Sequence, residues 1–152
     1  MAISFKPEGF HSVTPYLYIR GAAKALEFYK TAFDAVEKFR MAQPDGKIGH
    51  AEIMIGDSCI MLADEFPDMD VRSPESIGGS PVSIVLYVKD CDDMINKAVA
   101  GGAVITRPIE DKFYGDRAGA IRDPFGHTWH IMTHIKDMTE EEMMKAAEEM
   151  GG

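Results

Sequence analysis

The chain repeats itself, and that limits its folds more than any other feature. Shifting the sequence by 69 residues places Val13 on Val82, Leu17 on Leu86, Tyr18 on Tyr87, Arg20 on Lys89 and Leu26 on Ile95. A shift of 70 places Gly56 on Gly126 and Met61 on Ile131. Identity between the copies is low, but their apolar periodicity keeps step, as expected of a duplicated supersecondary unit.

In the first copy, residues 13–20 alternate as a strand. Val13, Pro15, Leu17 and Ile19 share one face, and Thr14, Tyr16, Tyr18 and Arg20 the other. Ala22, Ala25, Leu26, Tyr29 and Phe33 then recur at helical spacing. Three strands follow at 35–41, 47–55 and 58–63, with Pro44-Asp45-Gly46 and Gly56-Asp57 as turns. The second copy predicts a strand over 82–89 and a helix capped by Asp90 and stopped by Gly101-Gly102. Strands at 103–107, 117–122 and 127–133 complete it. Each copy therefore reads βαβββ. The sequence predicts an α+β fold in which two such modules form one curved, cup-shaped mixed sheet within a single domain, 1–152. The modules span 11–66 and 82–135, with a linker or lid at 67–81 and a C-terminal helix within 136–152. In that helix, Thr139 and Glu142 form a capping box, and Met143, Met144, Ala147 and Met150 form a stripe expected to pack on the body or on a partner subunit.

Charge narrows the range of partners. Sixteen Lys and Arg stand against 25 Asp and Glu, a formal net charge of −9, which disfavours nucleic acid. No run of about 18 apolar residues predicts a membrane span, and the first residues lack the layout of a secretory signal. Two cysteines, Cys59 and Cys91, make no disulfide framework and read as reduced thiols of a cytoplasmic protein.

The outward faces of the two opening strands, with Thr14, Tyr16 and Tyr18 on one and Ser83, Val85 and Tyr87 on the other, would line the cup. Tyrosines and hydroxyls suit a small organic ligand with polar handles, and they also suit ordinary sheet packing. His50 and Glu52 alternate on one strand face, and with His130 and His134 they could form a polar cluster. Four residues along a strand is about 13 Å, so a metal would need ligands from several strands. Arg117 could clamp a ligand carboxylate or phosphate, or pair with Asp116 or Asp123. No glycine-rich phosphate loop, nucleophile elbow or His-Glu-x-x-His is present.

Three stretches resemble the vicinal-oxygen-chelate superfamily of glyoxalase I, bleomycin-resistance and extradiol-dioxygenase proteins, and within it the PhnB-like branch. They are Val13-Thr-Pro-Tyr-Leu through Glu27-Phe28-Tyr29, His50-Ala51-Glu52, and Tyr114-Gly-Asp-Arg through Asp123-Pro-Phe-Gly-His-x-Trp129. The resemblance spans about residues 11–150. It implies metal-ligand positions at Thr14, Ile60, Ser83 and His130, of which only His130 is a good ligand. Two readings follow. One is an enzyme of lyase, isomerase or dioxygenase type, with His50, Glu52 and His130 as catalytic residues, Glu52 the candidate base. Those three would also be the atypical ligands of a divalent metal, if there is a cofactor at all. The other is a non-catalytic binding or sequestering protein. In both, Thr14, Tyr16, Tyr18, Ser83, Tyr87, Arg117 and Trp129 are expected against the ligand, and the partners are a small molecule and a second copy in a homodimer.

Overall fold

A computed structural model describes residues 2–151; Met1 and Gly152, the outermost residues of the predicted boundaries, lie outside the described residues. The chain divides into two compact units, one ending at Ser80 and the other starting at Pro81.

The first unit runs β1 (Tyr16–Ile19), α1 (Ala22–Phe33), β2 (Val36–Ala42), β3 (Ile48–Ile55) and β4 (Ser58–Asp64). Its sheet has the order β1-β4-β3-β2, with β1 parallel to β4 and the rest antiparallel. Helix α1 forms where the apolar spacing predicts it. It buries Ala22, Ala25, Leu26, Phe28, Tyr29, Ala32 and Phe33, and Leu17, Ile19, Ile53 and Leu62 of the sheet are buried too. Tyr29 and Phe33 stack at 5.7 Å within this core.

Helix α1 starts without a side-chain cap of its own, because Gly21, at φ 91°, occupies the N-cap. Asp64 at the end of β4 substitutes for it. Its Oδ1 accepts the Gly21 and Ala22 amides, both at 3.0 Å, and its Oδ2 accepts the Ile48 amide at 2.7 Å. One buried carboxylate thereby joins the helix start to two strands.

The second unit runs β5 (Ser83–Tyr87), α3 (Cys91–Ala100), β6 (Val104–Asp111), β7 (Asp116–Arg122) and β8 (Thr128–His134), ordered β5-β8-β7-β6. Asp90 caps α3 by accepting the Asp93 amide at 3.1 Å. Thr133 Oγ1 accepts the Cys91 amide at 2.9 Å, so the residue 69 positions after Asp64 supports the equivalent helix end. Strand β6 runs past the predicted end at Arg107 and includes Pro108. It pairs only with β7 and its register shifts at Arg107. At such an edge, a missing amide hydrogen costs no ladder bond.

Residues 67–81 hold a 3-10 turn, Pro67–Met69, and the short helix α2 (Pro74–Ile77). The segment is tied to β1 through Arg20. The guanidinium reaches Glu65 at 2.8 Å, Ser76 at 2.8 Å and Glu75 at 3.3 Å. Burial pushes the Glu65 carboxyl up, but hydrogen bonds from Ser76, Arg20 and Ser73 outweigh it and bring it down to about 2.

Helix α4 (Glu140–Gly151) carries the predicted capping box: Thr139 and Glu142 exchange amide-to-side-chain bonds, both at 3.1 Å. Its methionine stripe is not buried against this chain. None of its described residues is buried, and Met144 and Met150 are largely exposed. No described helix is long and apolar enough to cross a membrane.

Candidate functional site

In the first unit, strand alternation turns Leu17 and Ile19 inward and Tyr16 and Tyr18 out to the opposite face. His50 and Glu52 on β3 are half-buried between the fully buried Ala51 and Ile53. Tyr16 and Glu52 both pair with Met61 of β4, one from each side. The Tyr16 hydroxyl reaches His50 Nδ1 at 2.8 Å, and His50 Nε2 lies 3.0 Å from Glu52 Oε2. An ionised carboxylate only accepts, so Nε2 carries the proton, Nδ1 is the acceptor, and the tyrosine hydroxyl donates to it. Burial, then the Tyr18 and Glu52 charges, hold the Tyr16 phenol above its ordinary range, so it rests protonated.

Around this chain of bonds the rings form a row. Centroids are 5.4 Å apart for Tyr18 and Tyr16, 5.4 Å for Tyr16 and His50, and 5.8 Å for His50 and Phe39. Sequence reasoning missed Phe39. It directly faces Glu52 across β2 and β3, and only that register reveals it.

The second unit is laid out differently. Tyr16 pairs with Met61 as Val85 pairs with His130, so His130 corresponds to Met61. The shift of 70 expected for the last strand is therefore 69. Ile60, an expected ligand position, instead pairs with Ile53 and is buried, one residue out of phase with the Tyr16 face. Glu52 faces Met61 as Ala120 faces His130, which leaves alanines at Ala118 and Ala120 where the first unit has His50 and Glu52. His130 is half-buried and has no hydrogen-bond partner among the described residues. Thr14 lies just before β1 and is half-buried; Ser83 opens β5 and is exposed. Among the described residues, neither unit by itself offers a donor set that suits a divalent ion. The positions that the superfamily implies carry Thr14, Met61, Ser83 and His130, and hydroxyls and a thioether are weak ligands for such ions. Both His50 nitrogens are committed to hydrogen bonds, and no three His, Cys, Asp or Glu side chains converge among the described residues.

Several residues expected against the ligand are hydrogen-bonded to other side chains. Arg117 is held neither by Asp116 nor by Asp123. Its guanidinium takes both Asp92 oxygens, at 2.7 and 2.9 Å, and Asp111 at 2.9 Å, tying β7 to α3 and β6. Arg117→Ala is expected to lower the urea midpoint only slightly, because the pairs are partly exposed, with no change in ligand binding. Trp129 is fully buried, and its indole N–H donates to Asp123 Oδ2 at 2.9 Å. The other Asp123 oxygen accepts the Phe125 and His127 amides, at 2.9 and 3.0 Å. The Asp-Pro-Phe-Gly-His-x-Trp run is thus a hairpin lock.

The Tyr114-Gly-Asp-Arg run is also architectural. A Cβ at Gly115, φ 97°, would collide with the Lys136 carbonyl. Asp116, buried, accepts the Tyr87 hydroxyl at 2.7 Å and holds His134 Nδ1 at 2.8 Å, while His134 Nε2 meets Asp137 at 2.7 Å. The Asp116 carboxylate raises the Tyr87 phenol, and Asp116 and then Asp137 raise the His134 imidazolium. A raised histidine stabilises the fold fully below its unfolded value, about 6.5, and loses that contribution as pH rises through the folded one. Urea midpoints of the wild type and His134→Gln should therefore converge as pH rises from about 6 to about 9; a constant gap contradicts the assignment. Cys59 and Cys91 are buried free thiols, and burial raises both.

The Glyoxalase/Bleomycin resistance protein/Dioxygenase superfamily model matches residues 9–131. The chain belongs to that superfamily. A Mycobacterium bovis relative, the uncharacterized protein Mb0911c, is 38% identical over 99% of both chains. The crystal structure of the Arabidopsis thaliana At5g48480 product is 28% identical, with a TM-score of 0.65 over 80% of this chain and 98% of that one. The PhnB protein from Bacillus cereus, at 18% identity and TM-score 0.62 over 81% of this chain and 99% of that one, shares the fold alone. Superfamily membership fixes the scaffold; the chemistry has to come from the side chains described above.

Proposed function

We propose that this superfamily member acts on a small organic substrate by metal-independent proton transfer, a lyase- or isomerase-like chemistry, on the tyrosine face of the first unit. The observation that carries this reading is the unbroken Tyr16–His50–Glu52 hydrogen-bond chain. Tyr16 is the group that meets the substrate. As its oxygen takes a proton from a substrate carbon, its own proton passes to His50 Nδ1, and Glu52 offsets the imidazolium charge that forms. Tyr16 then donates to a neighbouring substrate atom as His50 Nδ1 returns its proton to the phenol oxygen, which restores the neutral imidazole. The raised phenol makes the resting state neutral, so charge develops only during transfer.

The test is deuterium incorporation from D2O into small carbon acids, with hydroxyacetone and phenylacetone as probes, followed by proton NMR. Wild-type protein should catalyse exchange; exchange no faster than in buffer contradicts the reading. The exposed rings of Tyr18 and Phe39 favour a second reading, a binding or sequestering protein, which predicts association without exchange.

A further inference from the structure

We propose that the tyrosine face of the first unit selects an organic cation bearing a flat ring, with the ring on the Tyr18–Tyr16–His50–Phe39 row and the cationic nitrogen at Glu52. This rests on the reading above in using the same face, but it concerns recognition and not proton transfer.

Three observations support it. First, the row is continuous, with neighbouring centroids 5.4 to 5.8 Å apart, and Tyr16, Tyr18 and Phe39 stay 39, 40 and 44% exposed. Faces of this kind attract cations through the ring quadrupole. Second, Glu52 stands within the row, directly opposite Phe39, and no lysine or arginine among the described residues pairs with it. One carboxylate oxygen holds His50; the other has no partner among the described residues. By contrast, Glu37 and Glu65 each have a basic partner. Lys38 of the same sheet directs its ammonium over the Phe10 ring at 4.7 Å. Third, aromatic rings next to an unneutralised carboxylate favour a positive ligand over its neutral or negative isostere, since the charge attraction adds to the ring attraction.

The experiment uses the full chain and three probes of one shape: 1-naphthylmethylammonium, 1-naphthalenemethanol and 1-naphthalenesulfonate. Binding is followed by amide shifts in 15N-labelled protein at about 0.15 M salt, which screens the net charge. The cation should bind roughly five- to tenfold more tightly than the alcohol, with the sulfonate weakest and the shifts centred on Tyr16, Tyr18, Phe39 and His50. Glu52→Gln should abolish the preference for cation over alcohol, and Glu148→Gln on α4 should leave it intact. Tyr18→Ala and Phe39→Ala should weaken cation and alcohol together. Equal affinity for cation and alcohol, a preference that survives Glu52→Gln, or no binding by any probe would overturn the proposal. If deuterium exchange fails while cation preference holds, the proton-transfer reading falls and this one stands.

Discussion

Asp64→Ala is expected to lower the stability of the first unit by about 3 kcal/mol, because it orphans three backbone amides at once. The Gly21, Ala22 and Ile48 N–H groups all point at this carboxylate, which is only 6% exposed, so water cannot readily replace it. Charge-assisted bonds of this kind contribute about 1.5–3 kcal/mol each, less when they share one acceptor group. Asp64→Asn keeps one acceptor oxygen and should lose about half as much. Thr133→Val, at the equivalent place in the second unit, removes a single neutral bond and should cost about 1 kcal/mol, since Asp90 still caps α3. Urea unfolding of the three variants orders them; an Asp64→Ala loss under about 1 kcal/mol would contradict the capping role.

His50→Ala is expected to slow deuterium exchange by about 10² to 10⁴-fold, the usual worth of a positioned proton acceptor. Tyr16→Phe removes the atom that meets the substrate and should fall in the same range. Glu52→Gln keeps a hydrogen-bond acceptor for His50 but not the charge that offsets the imidazolium, so its loss should be smaller, about tenfold to a hundredfold. The double variant His50→Ala/Tyr16→Phe should be no slower than the worse single variant, because groups acting as one relay are not additive. Additive losses would mean that the two residues act separately.

The repeat and its periodicities made most of the fold legible. Helix α1 and the capping box of α4 lie where apolar spacing and cap chemistry place them, because both depend on residues within a turn or two. The partners of long side chains were not legible. Arg117 is followed by no sequence signal pointing to Asp92, which α3 brings to it across 25 positions. Tyr16 and His50 meet only because β1 pairs with β4 and not with its sequence neighbour β2. The last strand shows how narrow the margin is. A one-residue error in the shift swaps the two faces of a strand, which put Ile60 in a position that Met61 occupies. The exposed stripe of α4 shows the opposite limit, since a helical pattern reveals a face without revealing what covers it.

The most direct measurement of the relay is the nitrogen NMR spectrum of the His50 ring in protein labelled at histidine, taken in alkaline buffer at about pH 9. The hydrogen bonds predict the Nε2-protonated tautomer, with an unprotonated Nδ1 whose shift moves in Tyr16→Phe. A ring protonated at Nδ1, or an Nδ1 shift indifferent to Tyr16, would contradict it.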